Sequence, residues 1–437
     1  MGAFKLPPYT TKTLSNGAKL YAMEYHELPL VDMAVIVGAG SASDPNGKEG
    51  LADLVADLLR KGTPTRSARD IADAVDFVGG SMSASADQDG THMSAEFLTK
   101  DLEMGLDLVT DVLMHPAFTQ EEVERQKAET IGELKAAREN PGLLASRRFV
   151  EQLYRGHPYG HPSSGWESSV EAVTREDVQR FYRDSYTPDN VIFIAVGDFN
   201  KEEMLGKLEK RLGGWRGKAA AKKPVPDPAK VKGRAIYLVD KADSTQSQIR
   251  FGGLGIRRDD PDYAVLAVAN TILGGGFTSR LVEEIRVNRG LSYGVSSRFF
   301  ALKQRGPFLI NTFTKNATTL ETVKLALDVH RKFVKEGPTA EEVDKARKYL
   351  KGSFAIGHQS PDALADVLGE IAFYGLPRDY YDTWLDRIAA VTVDDVKRVA
   401  AKFPLDDSIL LVLGQASAIR KELETLGPVT SVPLSEH

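Results

Sequence analysis

The sequence contains no cysteine, which excludes disulfide bonds, thiolate metal ligands and a cysteine nucleophile. It also lacks any run of about 18 apolar residues, so no membrane-spanning helix is expected. Neither sign of charge dominates, because the net charge is only -5 and the basic residues are scattered along the chain. Such a chain has no general affinity for phosphate backbones, and nucleic acid is not expected as a partner.

The first residues of the chain bear on its compartment. Residues 1–9 lack the charged and then apolar build of a secretory signal, so we expect a cytoplasmic protein from the sequence as written. A signal peptide removed ahead of this start would instead place the protein in the periplasm. The absence of cysteine is compatible with both compartments.

The chain is a duplication. Its 437 residues exceed the roughly 250 to 300 at which single cores stop growing, and its two halves repeat the same landmarks. An apolar stretch leads into an Asp-Pro step ending at Pro45 and again at Pro261, 216 residues later (261 minus 45). A helix start of the form Thr-x-Glu-Glu-Val follows at Thr119 and at Thr339, 220 residues apart (339 minus 119).

Each half is predicted to be an α+β domain. Alternating segments at 80–86 and 91–98, and at 293–300 and 307–312, are typical of antiparallel strands. We therefore expect two homologous halves, each a mainly antiparallel sheet with helices packed on one face. The predicted domains are 1–215 and 234–437. Residues 216–233, rich in Pro and Lys without apolar periodicity, form the predicted linker.

One helical segment carries a family resemblance. Residues 50–63 read GLADLVADLLRKGT. They resemble the zinc helix of the pitrilysin, insulysin and mitochondrial-processing-peptidase family, whose inverted zincin motif His-x-x-Glu-His lies between Gly-Leu-Ala and Lys-Gly-Thr. The two histidines of the motif fall on Asp53 and Asp57, and its general base falls on Ala56. The resemblance implies the LuxS-like metallohydrolase fold of the processing peptidases for each half.

The third ligand position of the family also has a match. Residues 124–141 resemble the later helix that supplies a glutamate, and the matching residue is Glu133. A set of two aspartates and a glutamate suits a hard ion such as Mg²⁺ or Ca²⁺ but lacks the imidazole that zinc prefers. The alternative is three solvated acids in a vestigial cleft. We expect no metal in this chain, and Ala56 leaves it without a general base.

The second half supplies the other resemblance. Residues 273–293, LGGGFTSRLVEEIRVNRGLSY, are similar to the stretch that gives the family a substrate-contacting Arg/Tyr pair, which maps to Arg286 and Tyr293. A guanidinium and a phenol hydroxyl can bind a peptide carbonyl and stabilise the oxyanion formed during hydrolysis. The alternative is that neither residue contacts a substrate, and that they are simply an exposed helix arginine and a half-buried strand tyrosine.

The lost zinc motif and the retained pair together imply a role. In two-chain members of the family, one subunit bears zinc and the other supplies the Arg/Tyr pair. The resemblance thus implies a non-catalytic subunit that forms a heterodimer with a zinc-bearing sister and acts on unfolded peptides. No cofactor is expected in this chain, because zinc belongs to the partner. A homodimer is the alternative in isolation.

Two other functions remain open from the sequence. One is a structural or binding protein without peptidase activity, like the core subunits of respiratory bc1 complexes. The other is an active metallopeptidase with a new ligand set, which is disfavoured because no general base lies near the degenerate site.

Overall fold

The computed structural model describes residues 5–221 and 224–434. Within these residues, twelve strands form two six-stranded sheets. The strands of the first sheet are β1 (Tyr9–Thr13), β2 (Lys19–Glu24), β3 (Leu30–Val37), β4 (Ser81–Ala86), β5 (Thr91–Leu98) and β6 (Val191–Gly197). The strands of the second sheet are β7 (Arg234–Asp240), β8 (Gln246–Leu254), β9 (Val295–Phe299), β10 (Pro307–Lys315), β11 (Ser408–Gly414) and β12 (Val429–Val432).

The same part of the chain contains fifteen α-helices. They are α1 (Leu51–Leu58), α2 (Ala68–Phe77), α3 (Leu102–Met114), α4 (Gln120–Ala137), α5 (Pro141–Leu153), α6 (Glu167–Glu171), α7 (Arg175–Ser185), α8 (Lys201–Leu212), α9 (Tyr263–Asn270), α10 (Thr319–Glu336), α11 (Ala340–Ile356), α12 (Pro361–Tyr374), α13 (Trp384–Ala390), α14 (Val393–Val399) and α15 (Ala416–Leu423). Two segments, Thr271–Gly275 and Val282–Asn288, are π-helical.

The two sheets share one plan. The first has the strand order β1-β2-β6-β3-β5-β4, and the second has β12-β7-β11-β8-β10-β9. In the first sheet only β2 and β6 pair in parallel, and in the second β7 pairs in parallel with both β11 and β12. The remaining neighbours pair antiparallel. The predicted α+β class with two related, mainly antiparallel halves is confirmed.

The sequence patterns explain these elements. On β3 the side chains of Val31, Met33 and Val35 enter the hydrophobic core of their sheet, because alternate residues of a strand point to the same face. The predicted helix starts are also observed. The hydroxyl of Thr119 accepts from the N–H of Glu122 at 3.3 Å, and that of Thr339 accepts from the N–H of Glu342 at 3.2 Å.

The chain packs into two compact units, and each is built from discontinuous segments. The first comprises the residues up to Lys135 together with Pro162–Pro224 and Ala355–Asp382. The second comprises Ala136–His161, Val225–Phe354 and the residues from Thr383 onward. Each half of the sequence therefore gives one helix to the unit that holds the other half's sheet. The exchanged helices are α5, in the second unit, and α12, in the first.

Each exchanged helix packs on its host sheet. Helix α5 lies on β8 and β11, where the buried guanidinium of Arg250 donates to the carbonyl of Gly142 at 2.7 Å and to the hydroxyl of Ser146 at 2.9 Å. Burial lowers the pKa of Arg250 to about 10. Helix α12 lies on β3 and β6. The side chain of Ile36 on β3 is the group nearest to Gly369 of the helix. Among all described helices, none is long and apolar enough to span a bilayer.

Candidate functional site

Helix α1 holds the degenerate zinc motif in place. Its N-terminus is capped by Asp44, whose two carboxylate oxygens accept from the N–H groups of Gly50 and Ala52, both at 2.8 Å. Gly50 has φ 97°, a left-handed conformation that favours glycine. The Asp-Pro step noted in the sequence therefore supplies the cap. The helix that follows places Asp53 and Asp57, four residues apart, on one face.

Both aspartates already have protein partners. Asp53 accepts a hydrogen bond from the backbone N–H of Ala86 at 2.8 Å, and Asp57 accepts one from the side-chain amide of Gln126 at 3.2 Å. Burial raises the pKa of Asp53, while the Ala86 N–H opposes the rise and the charge of Glu133 adds to it. Burial and then the charge of Asp53 raise the pKa of Asp57 to about 7.

Ala56 and Glu133 complete the set of motif positions. Ala56 has no exposed surface and belongs to the hydrophobic core of the first unit. Its methyl group has no lone pair to accept a proton, so this position cannot act as a general base. Glu133 is exposed on α4, and its charge acts on both Asp53 and Asp57. The structure thus brings the three predicted carboxylates into one electrostatic neighbourhood.

This neighbourhood does not fit a zinc ion. Its donors are carboxylates alone, whereas zinc sites in proteins are built mainly from imidazole and thiolate ligands. Throughout residues 5–221 and 224–434, no three His, Asp or Glu side chains are placed to hold a metal ion together. One oxygen of each aspartate is also committed to Ala86 or Gln126.

The Arg/Tyr positions lie in the second unit and are open to solvent. Arg286 belongs to the π-helical segment Val282–Asn288, and its guanidinium carbon lies 5.0 Å from the ring centre of Phe277. Phe277 is itself 70% exposed. A cation over an exposed ring keeps its charge accessible while restricting where the side chain can go. Arg286 is thus presented at the surface beside an apolar group.

Tyr293 is presented by a fixed loop. The residue is 86% exposed and precedes β9. It is therefore not the half-buried strand tyrosine that the alternative without a substrate contact predicted. Its neighbours are anchored: Ser292 accepts from the N–H of Gly294 at 3.1 Å, and Thr312 on β10 donates to the carbonyl of Gly294 at 2.9 Å. The phenol is therefore carried into solvent on an ordered backbone.

The glycine run before Arg286 is explained by packing. Gly274 lies so close to β9 that a Cβ atom there would be 2.6 Å from the hydroxyl oxygen of Ser297. Ser297 donates that hydroxyl to the side-chain oxygen of Asn270 at 2.8 Å, which ties the start of the turn to β9. Glycine is therefore required at position 274 by close packing, because a Cβ atom there would also lie 2.7 Å from the backbone nitrogen of Ser297.

The sequence did not single out several residues that the geometry makes relevant. Phe277 lies inside the matched segment, but its contact with Arg286 joins residues nine positions apart on different turns. Gln126 lies 69 residues from Asp57. No local pattern predicts either contact. Asp44 belongs to the Asp-Pro step noted in the sequence, but its capping role was not predicted, because it lies seven residues before α1 rather than immediately before it.

Two family models match the chain. The model of the insulinase family, peptidase family M16, matches residues 22–165, and that of the peptidase M16 inactive domain matches residues 172–350. An uncharacterized zinc protease of Streptomyces coelicolor is 27% identical over 426 residues, covering 95% of this chain and 89% of that protein. A protein of Helicobacter pylori named a non-peptidase homolog is 25% identical over 388 residues, covering 87% of this chain and 88% of that protein.

Solved structures agree with these matches. The crystal structure of a peptidase M16 inactive domain from Pseudomonas fluorescens has a TM-score of 0.88 and 32% sequence identity. The match covers 93% of this chain and 98% of that chain. A protease from Helicobacter pylori has a TM-score of 0.87 at 22% identity, with 93% of this chain and 100% of that chain covered, which supports the fold alone.

Proposed function

This chain belongs to peptidase family M16 as a non-catalytic member, and from that premise we propose that it serves as the non-catalytic subunit of a two-chain zinc peptidase. In this proposal a sister subunit carries zinc and the general base. The present chain contributes Arg286, Tyr293 and half of the chamber in which unfolded peptides are hydrolysed. The zinc is therefore the partner's, and this chain needs no cofactor of its own.

The observation that carries the proposal is the contrast between the degenerate zinc motif on α1 and the Arg286/Tyr293 pair. The motif on α1 has lost its imidazoles and its base, since Ala56 is buried in the core and Asp53 is bonded to Ala86. Arg286 and Tyr293, in contrast, are exposed side chains with polar donors. Exposed donors of this kind are accessible to a ligand or to another chain.

The chemistry available to the pair follows from its donors. A guanidinium offers several N–H groups and a fixed positive charge, and a phenol offers one O–H. Aimed at a peptide carbonyl, both donors would strengthen their hydrogen bonds as the oxygen becomes negative during attack by water. Arg286 would also bind the peptide before reaction, because its charge attracts the carbonyl dipole in the ground state as well.

The test is reconstitution. The purified chain is mixed with an M16 subunit that has an intact His-x-x-Glu-His motif, and hydrolysis of a quenched fluorescent peptide is followed. Size exclusion reports whether the two chains assemble. The proposal expects an assembled pair that is more active than either chain alone. An assembled pair no more active than the zinc-bearing subunit would contradict it.

A second candidate function is a structural or binding role without any peptidase partner. The name of the Helicobacter pylori relative, a non-peptidase homolog, favours it. Under this alternative, Arg286 and Tyr293 would contact a permanent partner, and their removal would weaken assembly without altering any turnover.

A further inference from the structure

A cleft in the first unit plays no part in the proposed function. Its volume is about 700 Å³, and it lies where the helices α3, α7 and α8 end. Residues 214–217, which follow α8, complete its wall. A cleft of this size is large enough to hold a small molecule. The chemistry of its lining decides which molecule fits.

The helix ends at this cleft have protein donors of their own. The C-terminus of a helix leaves carbonyl groups unbonded and carries a partial negative charge, which would oppose the binding of an anion. Here one carbonyl at each end accepts a hydrogen bond from a polar side chain. The pairs are Leu113 with Tyr182 at 2.7 Å, Ser185 with Asn190 at 2.7 Å, and Leu212 with Asn16 at 2.8 Å. These bonds reduce the negative charge that the helix ends present to the cleft.

The side chains that line the cleft are basic. Those that carry or can carry a positive charge are Arg183, Arg211, Arg216 and His115. No aspartate or glutamate of the described residues belongs to the lining. Arg211 is neutralised, because its guanidinium donates to Glu103 and to Asp107, both at 2.7 Å. Arg183 and Arg216 are exposed, and neither has an ion pair or a side-chain hydrogen bond within residues 5–221 and 224–434. Two positive charges are therefore left uncompensated.

Aromatic rings also line the cleft. Tyr182 and Tyr186 stack with their ring centres 5.0 Å apart. Trp215 is half-buried and packs against the hydrophobic core of the unit. Its backbone N–H donates to the carbonyl of Leu212 at 3.0 Å, and its carbonyl accepts from the side chain of Asn16 at 3.1 Å. The cleft therefore has an aromatic surface whose backbone is held in place.

The segment that carries Arg216 is anchored on its other side as well. The N–H of Ala219 donates to the carboxylate of Asp189 at 2.9 Å, and that of Ala220 donates to the carbonyl of Asp184 at 2.9 Å. Between these anchors and Trp215, the backbone N–H groups of residues 216 and 217 make no hydrogen bond to any described residue. They are two further donors beside the guanidinium of Arg216.

The unpaired charges and the rings together indicate the kind of ligand. Guanidinium groups match the geometry of phosphate oxygens, and two of them supply the charge that a phosphate monoester needs. Aromatic side chains bind planar rings by stacking. An aliphatic anion would use the charges of the cleft without its rings, and a neutral aromatic molecule would use the rings without the charges. A planar ring joined to a phosphate uses both.

We propose that this cleft binds a mononucleotide, with its phosphate against Arg183 and Arg216 and its base against Trp215. The volume of about 700 Å³ suits one nucleotide rather than a long strand, and a net charge of -5 gives the chain no general affinity for nucleic acid. The site goes beyond the proposed function, because it involves neither Arg286 nor Tyr293 and requires no sister subunit.

Isothermal titration calorimetry on the full chain tests the site. The probes are the 5′-monophosphates of adenosine, guanosine, cytidine and uridine. The comparators are the nucleoside alone and ribose 5-phosphate, each of which keeps one part of the ligand. We expect the tightest of the four nucleotides to bind at least about tenfold more tightly than its nucleoside and than ribose 5-phosphate.

Arginine variants identify the phosphate contacts. Arg183→Gln combined with Arg216→Gln should weaken nucleotide binding at least about tenfold and leave nucleoside binding unchanged. The matched control is Arg69→Gln combined with Arg125→Gln, which removes two exposed arginines from the same unit and should retain wild-type affinity. Because all four side chains are exposed, the variants are expected to fold, and circular dichroism checks this.

Fluorescence identifies the base contact. The chain has three tryptophans, of which Trp166 and Trp384 are buried and Trp215 is half-buried. A base stacked on Trp215 should quench part of the emission, and Trp215→Phe should remove this quenching. Ribose 5-phosphate should quench neither protein.

Several outcomes would overturn the proposal. One is the absence of binding by all four nucleotides up to about millimolar concentration. Another is equal affinity for the nucleotide and ribose 5-phosphate without quenching, because the cleft would then bind an anion but no base. An equal loss in the arginine control would show a general effect of charge. A single-stranded oligonucleotide that binds more tightly than any mononucleotide would show that the ligand is a nucleic acid.

Discussion

Asp53 accepts a hydrogen bond from the backbone N–H of Ala86 at 2.8 Å, which ties helix α1 to the end of β4. The first position of the degenerate motif therefore has a structural task. Coordination of a metal ion through this oxygen would compete with its hydrogen bond to the strand. The degenerate motif is integrated into the fold of the first unit rather than left as an empty site.

The purified chain should contain no stoichiometric zinc and should cleave no peptide. Asp53 and Asp57 offer no imidazole, Ala56 leaves the family's general-base position without a basic group, and the two acids have partners. Elemental analysis after dialysis measures the metal, and a quenched peptide assay measures activity. One equivalent of zinc that a chelator removes together with activity would refute the prediction.

Two histidines should restore a metal site. Asp53→His with Asp57→His places imidazoles at i and i+4 on one helix face, and Glu133 is near enough to influence both positions electrostatically. We expect zinc binding by calorimetry, weakened by a further Glu133→Gln. Undiminished binding after Glu133→Gln would show that the third ligand is another residue.

Adding Ala56→Glu to the two histidines should lower the free energy of unfolding by roughly 1 to 3 kcal/mol, because Ala56 is fully buried.

In a reconstituted complex, Tyr293→Phe should lower kcat and leave assembly unchanged. Removing one oxyanion donor typically reduces turnover about a hundred- to a thousand-fold. Arg286→Ala should raise KM as well, because the guanidinium also binds the ground state. Tyr349→Phe is the matched control, since that tyrosine is also exposed in the second unit. Wild-type kinetics in an assembled Arg286→Ala, Tyr293→Phe variant would favour the scaffold function.

His330 should make the protein less stable in mild acid. The ring is fully buried against Phe251 and Phe308, and neither nitrogen has a hydrogen-bond partner in the described residues. Burial, with a smaller effect of Arg234, lowers its pKa to about 3 from an unfolded value of 6.5.

The unfolded state therefore binds the extra proton between these two values. The contribution of neutral His330 to the free energy of unfolding is fully present above pH 6.5. It decreases as the pH falls, and at pH 5.5 the free energy of unfolding is lower by about 1.4 kcal/mol. Urea unfolding of wild type and His330→Leu at pH 7.5 and 5.5 measures this, and the variant should lose less. An equal loss in both proteins would show that His330 is not responsible.

Asp32 should have the opposite dependence on pH. Its folded pKa of about 7 exceeds the 3.8 of a solvent-exposed aspartate in the unfolded chain, so the folded state binds more protons between these values. Its contribution is complete below pH 3.8 and is lost as the pH rises through 7. Asp32→Asn should therefore be more stable than wild type at pH 8, by about 1 kcal/mol or more, and the difference should shrink at pH 5. Unfolding midpoints at the two pH values provide the measurement.

The sequence by itself determined the duplication and the loss of the zinc motif. Both are properties of residue identity at fixed spacing: the paired Asp-Pro steps, the two Thr-x-Glu-Glu-Val starts, and aspartate, alanine and aspartate where the family has His, Glu and His. The strands predicted near 80–86 and 91–98 also follow from local alternation, because the side-chain period of a strand is visible in the sequence.

The tertiary structure alone decided which sheet each helix covers and which charges are buried. An apolar stripe shows that α5 and α12 bury one face, but it does not specify the partner, and each packs on the sheet of the other half. Because α5 packs on the second sheet, Arg250 finds two hydrogen-bond acceptors on it. Because α12 packs on the first sheet, two of its acids raise the pKa of Asp32. The environment of a charge depends on residues distant in the chain, which local periodicity does not encode.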